Sequence, residues 1–276
     1  MKEHRVKILV ACHKPDTVYS DNVYIPIHVG RSISRFKEDM REMIGDDTGD
    51  NISEKNPYYC ELTALYWAWK NLDADFVGLC HYRRYFESMV TNENILRLLN
   101  GKDALCIHPL VERKTMASRL VEATCMEDFQ IFMSCIKIKQ PRYYDAALKF
   151  VKGNKCIPFN MFVMRKGLFD DYCEWMFSIL FEMEKYVRLS GYTRARRLYG
   201  YMAEMLLPIY FKVNNYTINY DECVPMVGLK HHREIIRPFR DIYNNIVMNF
   251  LFERTPINSD AVFAGFKADG IELGEI

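Results

Sequence analysis

No two of the nine cysteines in this 276-residue chain stand at Cys-x-x-Cys spacing. That lack removes the usual zinc-ribbon and thioredoxin-like readings. Most of the nine sit inside apolar runs, as in Val10-Ala11-Cys12 and Leu105-Cys106-Ile107. Free, buried thiols in a reducing compartment are the expectation. The chain also lacks an excess of either charge: 37 Lys and Arg oppose 36 Asp and Glu, for a net charge of +1. No global field draws nucleic acid or anionic lipid, so any anion site must be local. No apolar run approaches the length of a transmembrane helix. The start, Met1-Lys2-Glu3-His4-Arg5 before a short apolar run interrupted by Lys7, reads as too short and too interrupted for the apolar core of a secretory signal, and none is expected. A cytoplasmic protein is expected. Repeats and low-complexity segments are absent. What remains is 49% hydrophobic and 26% charged, ordinary for a globular chain, and long enough to bury a real core.

The hydrophobic pattern alternates between strand and helix. Val6 to Ala11 reads as a strand stopped at His13-Lys14-Pro15, and Val23 to Val29 as a second. Ile33, Phe36, Met40 and Ile44 recur at helical spacing. A polar loop, Gly45-Asp46-Asp47-Thr48-Gly49-Asp50-Asn51-Ile52-Ser53, follows. Asn56-Pro57 offers an N-cap and a first-turn proline to a helix whose stripe is Leu62, Leu65, Tyr66 and Trp69. Phe76 to Cys80 and Ala104 to Ile107 read as strands, with a short helix capped by Thr91 between them. Residues 115–153 look mainly helical, broken at Pro141. Phe159 to Met164 reads as a strand, and a long helix begins at Gly167. Leu198 to Phe211 is a further helix and Tyr216 to Tyr220 a last strand. The class is α/β with a mostly parallel central sheet flanked by helices. From His231 onward the character changes: Arg233, Arg237 and Arg240 lie among isoleucines and phenylalanines. The expected division is a domain over 1–230 and an extension over 231–276, either packed on the domain or lying at a membrane interface.

In open α/β sheets, ligands bind outside the carboxyl ends of the strands. Three polar clusters fall near such ends: His13-Lys14, the Asp46 to Asp50 loop, and His81-Tyr82-Arg83-Arg84. The order resembles nucleotide-sugar glycosyltransferases of the GT-A fold, which hold a divalent metal on the pyrophosphate with an Asp-x-Asp. Here two arginines stand in that place. A guanidinium is always charged and presents a planar fork to phosphate oxygens. Each such charge pair is worth roughly 4 kcal/mol at ~4 Å and an effective dielectric near 20, before desolvation. Two of them would offset a leaving diphosphate without a cation, so no metal is expected. The plainer alternative is a surface ion pair with Asp73, Asp75 or Glu87. Arginines among aromatics also suit nucleic acid, but the near-zero net charge argues against that partner.

The residues that follow are similar to a known family. They are Tyr24-Ile25-Pro26-Ile27-His28-Val29-Gly30, the Gly45 to Ser53 loop, Asn56, Tyr59, Glu61 to Asn71, Gly78 and His81 to Tyr85, then Phe159 to Phe162 and Gly200 to Glu204. On these the chain resembles bacterial capsular, exopolysaccharide and O-antigen biosynthesis proteins with galactofuranosyltransferase members, over roughly residues 6 to 228. The stretch from Leu110 to Cys135 departs from the family's pattern. The resemblance implies a GT-A-like fold, a UDP-sugar donor, UDP-galactofuranose foremost, and a glycan or lipid-linked oligosaccharide acceptor. A lipid-linked acceptor would make contact with the inner face of the plasma membrane useful to a cytoplasmic enzyme.

Residue roles follow from the resemblance and the residue types together. Arg83 and Arg84 would bind the pyrophosphate, with His81 assisting. Asp47, with Asp46 or Asp50, would accept hydrogen bonds from the nucleoside, unless these aspartates serve only the turn. His13, Lys14, Asn56 and Asn160 complete the nucleotide-sugar set. An inverting transferase needs a carboxylate base. Glu204, set among Met202, Ala203, Met205 and Leu206, is the first choice, with Asp128 and Glu61 as alternatives. An ion pair with Arg196 or Arg197 is the competing role for Glu204. A non-catalytic module that binds sugar nucleotide or glycan would share the arginines but need no base.

Overall fold

The computed structural model describes residues 4–226 and 261–275, with Arg194 described by its backbone alone. The chain forms two compact units. One comprises Met1–His108, Phe159–Trp175 and Asn215–Leu229; the other comprises Pro109–Pro158, Met176–Asn214 and Lys230–Ile276. Both the expected boundary at residue 230 and the basic stripe of Arg233, Arg237 and Arg240 lie outside the described residues.

The described strands are β1 (Val6–Cys12), β2 (Tyr24–His28), β3 (Ile44–Gly45), β4 (Phe76–His81), β5 (Tyr85–Phe86) and β6 (Ala104–Ile107). They continue with β7 (Leu110–Val111), β8 (Lys155–Cys156), β9 (Phe162–Arg165), β10 (Ile218–Asp221) and β11 (Cys223–Val224). The helices are α1 (Asn56–Tyr59), α2 (Leu62–Asn71), α3 (Ile95–Leu99), α4 (Met116–Ala123) and α5 (Met126–Lys139). After them come α6 (Tyr144–Val151), α7 (Lys166–Met183), α8 (Thr193–Arg196), α9 (Leu198–Asn214) and α10 (Ala261–Ala268).

The first unit is built on a seven-stranded sheet of order β10-β6-β9-β4-β1-β2-β3. Every adjacent pair is parallel except those of β9, which runs antiparallel to both β4 and β6. The expected α/β class with a mostly parallel sheet is what forms. β1 and β4 are buried along almost their whole length, as strands covered on both faces must be. At the middle of β4, Gly78 lies opposite Val163 of β9. A Cβ there would stand 2.8 Å from the Phe162 carbonyl oxygen, so glycine lets the two strands approach.

The apolar spacing from Ile33 to Ile44 does not produce a helix. A single 3-10 turn covers Arg31–Ile33, and the chain runs through turns into β3. The stripe shares no buried face: Met40 is buried, but Ile33 and Ile44 are 55% and 39% exposed. A surface helix forms chiefly because its apolar face is covered, and here it is not. The helix expected from Asn56 is split. It stops at Tyr59, and Cys60 takes φ 53° and ψ −129° before α2 starts. The strand expected from Phe159 begins only at Phe162.

The second unit is mainly helical, with the two-stranded β7–β8 ribbon beside α4, α5, α6 and α9. Thr115 caps α4 by accepting the Ser118 N–H at 3.2 Å. The end of the chain packs here. Phe263 and Phe266 of α10 contact the Phe129 ring at 6.3 and 6.1 Å, and Gln130 Nε2 donates to the Glu272 carbonyl at 2.8 Å. Among the described residues, no helix is long and apolar enough to cross a membrane.

Candidate functional site

The candidate site lies in the first unit, where β4 ends. His81 and Arg84 close a tight turn, with the His81 N–H donating to the Arg84 carbonyl at 3.1 Å and the Arg84 N–H to the His81 carbonyl at 2.9 Å. Tyr82 and Arg83 form its tip, and the Tyr82 N–H donates to the Ala11 carbonyl of β1 at 3.3 Å. The turn therefore sits at the carboxyl edge of the sheet, and its geometry sends the two arginines to different neighbours.

Arg83 reaches the loop after β1. Its Nε and Nη2 donate to Asp16 Oδ2 at 2.8 and 2.6 Å, and its guanidinium lies 5.1 Å from the centre of the Tyr82 ring. The hydrogen bond from Arg83 holds the Asp16 carboxyl below the usual carboxylate range. The plainer alternative for the arginines was an ion pair with Asp73, Asp75 or Glu87; Arg83 pairs with Asp16. Asp73 pairs with Arg5 instead, and Asp75 accepts the Arg5 N–H. His13 sets its ring edge-on to Tyr82 at 5.4 Å, and Lys14, partly buried, lies in the same loop.

Arg84 turns to the segment that enters β9. Its guanidinium stacks 4.0 Å from the centre of the Phe159 ring, a favourable cation–π distance. His81 Nε2 lies 2.7 Å from the Phe159 carbonyl oxygen, so that nitrogen carries the proton and donates. Phe159 and Asn160 occupy the left-handed region consecutively, at φ 71° and 53°. For a residue like phenylalanine this costs about 1–2 kcal/mol, and such strain concentrates where surroundings over-determine the backbone. Here His81 and Arg84 hold the first residue. Asn160, buried, donates from Nδ2 to Glu61 Oε1 at 2.8 Å. Asn160 was expected in the nucleotide-sugar set; its side-chain amide donates to a protein carboxylate.

Glu61 is itself buried, with 7% exposure, and leads into α2 from the strained Cys60. Asn56 secures that strained peptide, donating from Nδ2 to the Cys60 carbonyl at 2.7 Å and to Thr63 Oγ1 at 3.2 Å. Asn56 thus acts not as the N-cap, which is Lys55, but as a clamp beneath Glu61. Strained backbone precedes Glu61 and also carries its partner Asn160. Neither is legible in the sequence, because non-glycine residues at positive φ have no pattern to read.

The Asp46 to Ser53 loop is tied inward. Asp46, fully buried, accepts the Gly30 N–H at 2.7 Å, the Arg31 N–H at 3.1 Å and the Ser53 hydroxyl. Gly30 needs its freedom, at φ 67° with the Asn56 side chain within 2.7 Å of where a Cβ would be. Asp46 was expected at the nucleoside; its lone pairs are instead committed to the chain. Asp47 lies 3.7 Å from Arg31, and its Oδ1 is buried without a hydrogen-bond partner. Asp50 accepts from the Tyr66 hydroxyl at 3.1 Å. Trp67 Nε1 donates to Thr48 Oγ1 at 2.8 Å, and Asn71 Nδ2 to the Asp50 carbonyl at 2.8 Å. The loop and α2, two separate runs in the sequence, are one clasp. Beside it, His28 is fully buried with neither ring nitrogen hydrogen-bonded, and burial lowers its pKa.

The other two carboxylates considered for a base belong to the second unit. Glu204 lies 3.6 Å from Arg119. Arg119 also donates to Glu112 at 2.7 Å and to Cys156 Sγ at 2.9 Å. Asp128, at the start of α5, has its pKa raised by burial. Among the described residues, no three His, Cys, Asp or Glu side chains gather into a metal-ligating group.

Residues 7–215 match the family described as Domain of unknown function (DUF4422). No curated protein matches the chain. Among solved structures, the apo form of WbbM, described as a bifunctional glycosyltransferase, superposes with a TM-score of 0.71 at 30% sequence identity. The match covers 83% of this chain and 48% of WbbM, so the chain spans about half the length of that protein. The mixed sheet flanked by helices is thus the fold of a glycosyltransferase neighbour.

Proposed function

The chain belongs to that family of unknown function, and from this premise we propose that it is a glycosyltransferase of surface-polysaccharide synthesis. It takes a hexose, galactofuranose foremost, from a UDP-sugar and passes it to a glycan or lipid-linked acceptor at the cytoplasmic side of a membrane. The likeness to a bifunctional glycosyltransferase supports the reaction class. One observation carries the residue assignment: the turn at the end of β4 and the strained turn before β9 are joined through Arg84, His81 and Phe159, and lead through Asn160 to a buried carboxylate, Glu61.

In this reading Arg84 and Arg83 face the diphosphate, and the transfer needs no divalent metal. Arg84 is exposed and held over the Phe159 ring, a preorganised donor fork. Arg83 is exposed too, and exchanges Asp16 for phosphate when donor arrives. Phosphate offers more acceptor oxygens and more charge than one carboxylate, which favours the exchange. Asp47 and Asp50 border the nucleoside. Glu61 replaces Glu204 as the preferred base, because it shares a unit and a hydrogen-bonded path with the arginines. It takes the proton of the acceptor hydroxyl as that oxygen attacks the anomeric carbon and UDP leaves, inverting the configuration.

Calorimetric titration of UDP and UDP-hexoses, with and without EDTA, tests the donor site. Product analysis after incubation with a polysaccharide acceptor tests the transfer. Saturable UDP binding that ignores EDTA supports the proposal. No nucleotide binding, or binding that requires manganese, refutes it.

A further inference from the structure

Between the end of α7 and the start of α9 the second unit presents a segment unlike the rest of the chain. From Glu184 to Arg197 the sequence carries five cations, Lys185, Arg188, Arg194, Arg196 and Arg197, against one carboxylate, Glu184. That local excess of four positive charges stands in a chain whose net charge is only +1, so the remainder of the molecule is slightly acidic. Three large apolar or aromatic side chains stand among the cations. Tyr186 is 46% exposed, Leu189 40% and Tyr192 82%. Arg188, Arg196 and Arg197 are exposed as well. The segment is not loose: Lys185 pairs with Glu182 at 2.8 Å, Arg196 Nε donates to the Ser190 carbonyl at 3.1 Å, and the Tyr192 N–H donates to Ser190 Oγ at 3.1 Å.

Water gives no reason to expose a leucine and two tyrosines within seven consecutive residues, and the expected ornament of a surface loop is polar. We propose that the Glu184–Arg197 segment is a docking surface for a bilayer rich in anionic phospholipid. Tyr186, Leu189 and Tyr192 enter the headgroup layer, where amphipathic rings and aliphatic chains partition favourably. Arg188, Arg196 and Arg197, all exposed, meet the lipid phosphates. Charge complementarity selects an anionic surface, and the leucine selects a bilayer over a soluble polyanion, because an aliphatic side chain gains nothing from a phosphate backbone. The surface is independent of the donor-site assignments. It also differs from the C-terminal stripe that the sequence offered for membrane contact.

Co-sedimentation of the full chain with vesicles tests the proposal. One set is phosphatidylcholine alone, and the other adds phosphatidylglycerol. The chain is expected to pellet with the phosphatidylglycerol vesicles only, and to be released by salt as the Debye length shrinks. Arg188→Gln and Arg196→Gln are each expected to weaken binding about fivefold. The double substitution Leu189→Ser with Tyr192→Ser is expected to weaken vesicle binding while leaving retention on heparin unchanged. These positions are exposed, and unchanged thermal unfolding confirms that the variants fold. Failure of the wild-type chain to bind either vesicle overturns the proposal, as does equal binding to both. Binding unaffected by the arginine variants overturns it too, by placing the contact elsewhere. Retention on heparin without vesicle binding overturns it in favour of a polyanion.

Discussion

Replacing Glu61 by glutamine separates a base from a brace. The glutamine keeps the shape and one acceptor oxygen for the Asn160 amide, now 2.8 Å from the carboxylate. A hydrogen bond to a charged acceptor contributes about 1.5–3 kcal/mol and a neutral one about 0.5–1.5, so the substitution costs roughly 1 kcal/mol of stability. For a chain of this length that lowers Tm by about 2–4 °C. A positioned general base, in contrast, contributes about a hundredfold to ten-thousandfold in rate. The two roles therefore differ by orders of magnitude in one readout and by a few degrees in the other. The assay measures the initial rate of transfer from a UDP-hexose, UDP affinity by calorimetry, and Tm for the same preparation. The expected result is near-normal folding, unchanged UDP affinity, and transfer reduced at least about a hundredfold. A Glu61→Gln protein that transfers within about threefold of wild type refutes the reasoning, and the base must then be sought at Asp128 or Glu204.

Three further outcomes are expected. Asn160→Ala leaves the buried Glu61 carboxylate short of a donor and places alanine at φ 53°; together these destabilise by about 3–4 kcal/mol in urea unfolding, and a loss under about 0.5 kcal/mol would show that the contact is incidental. Arg84→Lys keeps the charge but loses the fork and the stacking on Phe159, so UDP affinity falls about tenfold or more by calorimetry; unchanged affinity would remove Arg84 from the donor site. Burial lowers the pKa of His28, so the unfolded chain binds a proton that the folded chain refuses. The stability this contributes is full above the ordinary imidazole value of about 6.5 and is lost as pH falls through it toward the lowered value. His28→Phe should flatten that part of the pH–stability curve in urea melts, and an unchanged curve would assign the acid sensitivity to other groups.

The parallel strands were legible because a strand buried on both faces leaves an uninterrupted apolar run. Val6 to Ala11, Phe76 to Cys80 and Ala104 to Ile107 form strands within a residue of their expected ends. The helices from Met116 to Val151, interrupted at Pro141, follow their periodicity for a like reason. The two-residue strands β3, β5, β7, β8 and β11 were invisible because two residues carry no period. The clasp of Asp46 and Asp50 was half legible. A polar, glycine-punctuated loop announces a turn, but nothing local says that Asp46 will be buried or that Trp67 will hold Thr48. The arginine turn was legible as a charged break after an apolar run. Its partners were not, since Asp16 and Phe159 are distant in sequence. The apolar neighbours of Glu204 were legible, but nothing local announced that it would lie 3.6 Å from Arg119.

Because β9 lies reversed between two parallel neighbours, its entrance reaches the sheet edge where the other strands exit. Main-chain alignment therefore acts as the site's calibration. A slip of one residue between β4 and β9 would turn Phe162 and Met164, which share a face, to the opposite side of the sheet and carry Phe159 away from Arg84 and Asn160 away from Glu61. The absent side chain at Gly78, deep in the sheet, keeps that scale at zero, so the tolerance of the chemistry is set at a position that touches none of it.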